Sequence, residues 1–422
     1  MTSVAYAALW AFVFSIPWEK MLALPGLAVI ARATGGMALG LTVLSVVFHG
    51  RLRRLHLSHL AALLFLAWAG LELFLFHSGE RVPYKFLTYG QLLLVLWMLW
   101  ELAPTVDRQR GLMTAFVFGA YVSAFETFRV FAQSAGSMAR FSAGGLDAND
   151  LAMMLALAVP MAWYLGMTHH RPILRWICRA YVPVGVLTVG LTGSRGGMIT
   201  ATMALLIIPL SMTRLTPGRL ITAFTMLAAA GALAVAYVPE TTIQRLASAG
   251  TEVEAARFGG RGKLWRAGLE VFPAKPILGV GTGGYKTAIT PVLGPAAQVA
   301  HNSYLSVLVE QGIIGFALYM LMFGAAFVSV MKLPTLERRF GLVLMGTLAL
   351  AMFPLTWEDR RPVWFTLGTL VGFSHAVLAA RRAAASQPVL VGRLPAMAAA
   401  PPERRWPARL AARRDEVGDL AE

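Results

Sequence analysis

The sequence predicts an all-α integral membrane protein that crosses the bilayer about twelve times and carries one long folded loop outside. Three observations predict it. Of the 422 residues 57% are hydrophobic and only 14% charged, against roughly a quarter charged in soluble domains. The apolar residues are gathered in runs close to the roughly 20 residues that span a bilayer. The basic residues are concentrated in alternate connectors, which is the pattern of the positive-inside rule. A soluble enzyme, a disordered chain and a fibre are excluded. The net charge of +16 is assigned to that topological bias rather than to nucleic-acid binding.

The runs fall at 4–18, 33–48, 60–76, 86–103, 112–132, 150–167, 180–191, 197–211, 220–238, 303–330, 341–355 and 363–380. The first lacks the basic flank of a cleaved signal peptide and reads as a membrane helix. Short basic connectors carry Arg51/Arg53/Arg54, Arg108/Arg110, Arg171/Arg175/Arg179, Arg214/Arg219 and Lys332/Arg338/Arg339. An even number of runs separates them, so all lie on one side, the cytoplasm, with both termini. Residues 1–380 are expected to form a single transmembrane domain. Residues 381–422, rich in Ala, Pro and Arg, are expected to be a disordered basic cytoplasmic tail. The lone Cys178 can form no intramolecular disulfide.

On the opposite side one connector stands apart. Residues 239–302 make a loop of 64 residues, far longer than its neighbours, and such loops are usually functional. Amphipathic stretches around Trp265, Leu269 and Phe272, with the turn residues Pro273, Pro276, Gly279, Gly281, Gly283 and Gly284, predict that it is folded.

Candidate site residues cluster on that outer side. Arg195 lies in Thr192-Gly193-Ser194-Arg195-Gly196-Gly197, between two apolar runs. A guanidinium there is costly and marks function. Glycines permit close backbone approach to a ligand, and the next helix begins at this turn, where amides and dipole favour an anion. Arg suits bidentate phosphate binding. A second Gly-to-helix transition, Gly259-Gly260-Arg261-Gly262-Lys263-Leu264-Trp265-Arg266, supplies Arg261 and, less favourably placed around the helix, Arg266. His301, in His301-Asn302-Ser303-Tyr304, stands where the long loop re-enters the membrane, and imidazole suits general-base work near neutrality. The bland alternatives are an Arg reaching outward from a helix end, a solvated basic patch and a structural His. Asp147 and Asp150 read as a helix cap rather than a metal site. Glu310 reads as a hydrogen-bonding group within the bundle.

In combination TGSRGG after an apolar run, GRxxLW in the long loop, PxxGxGxGxY over 276–285 and HNSYLxxLxExGxxG from His301 resemble the O-antigen ligase/polymerase superfamily. The likeness covers roughly 140–320, and the closing stretch Trp357-Glu358-Asp359-Arg360-Arg361-Pro362-Val363-Trp364 is similar to that family's last outer loop. The resemblance implies a GT-C-like glycosyltransferase of the bacterial inner membrane, working on the periplasmic side. The donor would be a glycan on undecaprenyl pyrophosphate, and in the ligase branch the acceptor would be a sugar of lipid A–core. Arg195 and Arg261, with Arg266, would hold the pyrophosphate, and His301 would deprotonate the acceptor hydroxyl. No metal or other cofactor is expected, and the reaction would be inverting. Alternatives are a polymerase or a protein O-oligosaccharyltransferase of the same superfamily. A lipid-linked glycan transporter is the alternative of a different class, disfavoured by the absence of a repeat.

Overall fold

Fourteen helices follow one another along the described chain. The computed structural model describes residues 1–22, 29–75, 82–134, 140–211 and 260–386, with a few isolated positions between 212 and 259. Among the described residues 82% are helical and no strand occurs. In order they are α1 (Thr2–Ser15), α2 (Ile30–His49), α3 (Leu57–Leu75), α4 (Val82–Leu102), α5 (Val106–Gln133), α6 (Ala148–Thr168) and α7 (Pro172–Leu191). Then come α8 (Arg195–Leu205), α9 (Ile207–Ser211), α10 (Gly262–Val271), α11 (Tyr285–Leu293), α12 (Ser303–Met331), α13 (Thr335–Met352) and α14 (Arg361–Ser386).

Eleven of the twelve apolar runs are helical here, and the ninth, 220–238, lies outside the described residues. Among the described residues six helices, α2, α5, α6, α7, α12 and α14, are long and apolar enough to cross a membrane. The helix ends differ from the apolar runs in an instructive way. α5 starts at Val106 and α7 at Pro172, so Arg108, Arg110, Arg175 and Arg179 lie on helices rather than in loops. Hydropathy drops at Arg, but Arg is a good helix former. The start of α5 is set by Thr105, whose side chain accepts from Arg108 N at 3.3 Å, and that of α7 by proline in its first turn, where the missing N–H costs nothing. The eighth run is broken at Leu206 into α8 and α9.

Residues 1–381 pack as one compact unit and 382–422 form a second. Of the expected tail, Arg381–Ser386 is helical and 387–422 lies outside the described residues. In the first unit α6 is almost wholly buried and packs against α5, α7, α8 and α13. α14 is its partner at the centre. Phe365 stacks on Phe116 of α5 at 5.0 Å, and Phe373 meets Tyr164 of α6 and Phe340 of α13 edge-on at 5.5 and 5.8 Å. The periphery is apolar too. Val43, Leu44, Val47 and Phe48 of α2, Leu60, Leu63, Leu64 and Leu71 of α3, and Ile313, Leu321, Phe327 and Val328 of α12 are all exposed. Such a surface in water would be a large aggregation patch; against hydrocarbon it is the expected exterior.

The described part of the long loop, 260–302, is folded and has a small core of its own, built from Leu264, Ala267, Tyr285, Ile289, Ala297 and Ala300 against Leu305 and Val309 of α12. It is anchored by a break in α12. Gly312 has φ 65° and ψ −170° inside that helix, which releases the carbonyls of the turn before it. Backbone from the loop takes them up. Val280 N donates to Val309 O at 3.0 Å and Gly281 N to Glu310 O at 2.8 Å, while Ile313 N donates to Pro276 O at 2.9 Å. Irregular backbone at such a depth is tolerated only when satisfied in this way. Gly279 and Gly312 both have positive φ, and a Cβ on either would collide with the other segment's backbone. The PxxGxGxGxY and ExG motifs are therefore the two halves of one joint.

Candidate active site

The N-terminal ends of α6, α8 and α12 meet the segment 353–360 at one end of the bundle, and the loop helix α10 joins them. Each end is capped by its own sequence. Asp147 accepts from Asn149 N at 2.8 Å and Asp150 N at 3.4 Å at the start of α6, as the cap reading expected. Ser194 accepts from Gly197 N at 3.1 Å and Asn302 from Leu305 N at 3.1 Å. Side chains then knit the ends together. Ser194 Oγ donates to Asn149 Oδ1 at 3.0 Å, Ser303 Oγ to Leu355 O at 2.8 Å, and Trp357 Nε1 to Asp150 Oδ1 at 2.9 Å.

Arg195 is the first residue of α8, half-buried. The glycines after it have a different task from the one expected. A Cβ at Gly197 would strike Ala152 of α6, and one at Gly196 would meet Met153 and Pro354. They let α8 lie flush on α6 and on 353–356, and so fix where Arg195 begins rather than admitting a ligand to the backbone.

Arg261 caps α10 and is brought to the same place. Burial lowers its pKa from the ordinary arginine value, Asp147 opposes this, and the Arg140 and Arg195 guanidiniums add to the lowering. Arg261 therefore faces both of the other guanidiniums. The anchor is Trp265, whose Nε1 donates to Ala300 O at 2.8 Å and whose ring meets Phe353 edge-on at 5.3 Å. This is the purpose of the tryptophan in GRxxLW: it ties the start of α10 to the residue before His301. Arg266 is not brought in. It is exposed on the side of α10 opposite Leu264 and Gly268, which are buried.

His301 has φ 46°, the one non-glycine residue with positive φ among the described residues. Its N–H donates to Thr356 Oγ1 at 2.9 Å, so the 353–360 segment holds the strained backbone. Burial and the Arg261 guanidinium push the imidazole below its ordinary pKa, against the pull of Asp147 and Asp150. The ring is thus neutral at neutral pH, with one nitrogen able to accept a proton.

Two features were not read from the sequence. Arg140 donates from Nε to Thr192 O at 3.0 Å and from Nη2 to Asn149 Oδ1 at 2.9 Å. It braces the TGSRGG turn and adds a third cation. It sits in a connector without a motif, so nothing marked it. The other is a buried ionic cluster behind the site. Lys85 of α4 reaches Glu310 at 2.6 Å and Glu358 at 2.8 Å. Glu358 also accepts from Ser306 Oγ at 2.7 Å and Glu310 from Gly283 N at 2.8 Å. Glu72 of α3 accepts from Thr282 N at 2.7 Å and from its hydroxyl at 2.5 Å. These carboxylates clamp the loop joint and the 353–360 segment. Glu310 is occupied there, as a bundle hydrogen-bonding group. Glu72 and Glu310 inside apolar runs, with Lys85 at the edge of another, were the available signal.

The fold and site define a class first: a membrane protein, all-helical among the described residues, with Arg195, Arg261 and His301 at helix starts on one end of its bundle. Residues 180–320 match the family model described as O-Antigen ligase, and this match supports membership of the O-antigen ligase superfamily. Members of that family are glycosyltransferase-like enzymes. The match begins at 180 rather than 140 and contains Arg195, Arg261, Arg266, His301 and the α12 joint, while Arg140, Lys85 and Glu358 lie outside it. No curated protein matches the chain.

Proposed function

We propose that the protein is an O-antigen ligase of the bacterial inner membrane, transferring a glycan from undecaprenyl pyrophosphate to a sugar of lipid A–core on the periplasmic side, by a metal-independent inverting reaction. The observation that carries the reading is the position of Arg261, at the start of a helix tied to Ala300 through Trp265, where it faces Arg195 and Arg140 on one side and the His301 imidazole on the other. In the proposed step the acceptor hydroxyl attacks the anomeric carbon from the face opposite the leaving group. The bond from that carbon to the pyrophosphate oxygen breaks, and the hydroxyl proton passes to His301. The departing lipid pyrophosphate takes the electron pair of the broken bond, and the added charge is met by the guanidiniums, which are held in place and need no reorientation as charge develops. A positioned base removes the remaining difficulty, the poor nucleophilicity of a neutral hydroxyl.

The guanidiniums lie at the ends of α8 and α10 and beside α6, outside the apolar interior, as expected of a site that receives a lipid headgroup rather than a channel through the bundle. The alternation of basic connectors supports placing this end in the periplasm. The test is reconstitution of purified protein with one lipid-linked glycan of known structure. Extension of lipid A–core supports the ligase; lengthening of the carrier-linked glycan identifies a polymerase; glycan on an added peptide acceptor identifies a protein glycosyltransferase. Movement of intact donor across the bilayer without new linkage would favour transport.

A further inference from the structure

A cavity of about 530 Å³ opens beside the site, between α2 and α4, and reaches the start of α14. That volume lies within the usual 300–1,000 Å³ of small-molecule sites. Its wall along α4 carries Leu87, Leu92 and Val95, interleaved with Thr88 and Gln91. Its other end carries four cations, Lys20, Arg32, Arg360 and Arg361, against the carboxylates of Glu19 and Asp359.

These charges do not cancel. Arg361 is paired with Glu19 at 2.6 Å, and Arg360 approaches Asp359 at 3.7 Å. Arg32 donates to the Tyr84 hydroxyl at 3.3 Å, a neutral group. The lining holds two more cations than carboxylates, and with Lys20 set 3.7 Å from Asp150 outside it an excess of one remains, at Arg32. Basic at one end and with Leu87, Leu92 and Val95 among Thr88 and Gln91 along α4, the cavity has the character of a site for an anionic amphiphile, its phosphate at the guanidiniums and its chain along α4.

Asp150 connects this cavity to His301. Its carboxylate lies 3.7 Å from Lys20, accepts the Trp357 indole, acts on Arg360 and acts on the His301 imidazole. Arg261, which acts on the same imidazole, faces Asp147, Arg140 and Arg195 instead. The imidazole is therefore reached by charges from both the cavity side and the α10 side. A transferase with two lipid substrates must hold both at once, and in the reading proposed above the first cluster already serves the donor pyrophosphate.

The geometry points to the α2–α4 cavity as the binding site for the phosphorylated lipid end of the acceptor. This rests on the proposed function for the word acceptor, while the chemistry of the site, a phosphate-bearing glycolipid, rests on the cavity itself.

Arg32→Gln and Arg360→Gln, singly and together, keep hydrogen-bonding capacity and remove charge. Full-length protein in nanodiscs is used for two measurements. In steady-state transfer, the double variant should raise KM for lipid A–core by roughly ten- to a hundred-fold, the loss expected for charge-assisted hydrogen bonds, with kcat and donor affinity unchanged. Acceptor treated with phosphatase should bind wild type as weakly as the untreated acceptor binds the variant. An unchanged acceptor KM in protein of normal abundance overturns the assignment, and so does a fall in donor affinity, which would give the cavity to the donor. The second measurement is direct binding of lipid A–core with no donor present, before and after phosphatase treatment. If wild type transfers nothing, the functional reading fails, yet phosphate-dependent binding lost in the double variant still supports the cavity. Equal binding by wild type and variant overturns it.

Discussion

Replacing His301 by asparagine separates the chemistry of this residue from its backbone. His301 holds φ 46°, a left-handed conformation that costs most L-residues roughly 1–2 kcal/mol. Alanine would carry that strain without the imidazole, and a fall in activity would then mix two causes. Asparagine adopts the left-handed region more readily, and it leaves the backbone N–H to donate to Thr356 Oγ1 as at present. His301→Asn should therefore preserve abundance and donor affinity while lowering kcat by about 10²–10⁴-fold, the usual contribution of a positioned base. His301→Gly, which relaxes the backbone, should show the same loss. The pH profile adds a second readout. Burial and Arg261 lower the pKa from 6.5, and the active form is the neutral one, so rate is full above the shifted pKa and is lost as pH falls through it. The acid limb of kcat/KM, which reports the free enzyme, should have its midpoint below 6.5 in wild type and be missing in His301→Asn. The assay is transfer at saturating donor and acceptor with donor binding measured separately. Near-wild-type kcat in His301→Asn, or normal turnover with poor donor binding, would refute the assignment of His301 as base.

Four further outcomes are expected. Arg195→Lys should be nearly as harmful as Arg195→Ala, because Lys keeps charge but not the planar fork, and Arg261→Ala should weaken donor use far more than Arg266→Ala, since Arg266 is exposed; equal effects at Arg261 and Arg266, read as donor affinity, would contradict this. EDTA should leave transfer by purified protein unchanged, and a strict Mg²⁺ or Mn²⁺ requirement would redirect attention to Asp147 and Asp150. Lys85→Met leaves Glu310 and Glu358 buried without their cation, which should cost about 3–5 kcal/mol; an unaltered thermal midpoint in detergent would show that the cluster is dispensable. Reporter fusions at Arg54 and Ser248 should report opposite sides of the membrane, and the same side for both would overturn the placement of the site in the periplasm.

The helices were legible because each of the eleven described apolar runs is also a helix of buried or outward-facing residues, and their ends were less so because charged residues extend a helix as readily as they end an apolar run, as at Val106 and Pro172. Arg195, Arg261 and His301 could be picked out because each stands at a motif beside an apolar segment, and the structure brings all three together. Arg266 belongs to the same motif as Arg261 but faces away, a matter of helical phase that the packing of Leu264 and Gly268 decides. Gly196 and Gly197 were assigned to a ligand, yet they serve helix packing, since a small residue looks the same in both uses. The contacts of Lys85 with Glu310 and Glu358 join residues more than two hundred positions apart, and no local pattern encodes such pairing. The strain at His301 is imposed by Thr356 and the cap at Asn302, and it too is invisible to composition and spacing.

The central claim is that one lipid pyrophosphate is held by Arg195, Arg261 and Arg140 with its glycosidic carbon turned toward His301. A structure of the protein in nanodiscs with an undecaprenyl pyrophosphate-linked sugar bound tests it most directly. The account predicts diphosphate density within hydrogen-bonding distance of at least two of these guanidiniums, at the N-terminal ends of α6 and α8, with the first sugar beside the imidazole. Diphosphate seated elsewhere, against Arg32 and Arg360 or on the opposite side of the membrane, would contradict it.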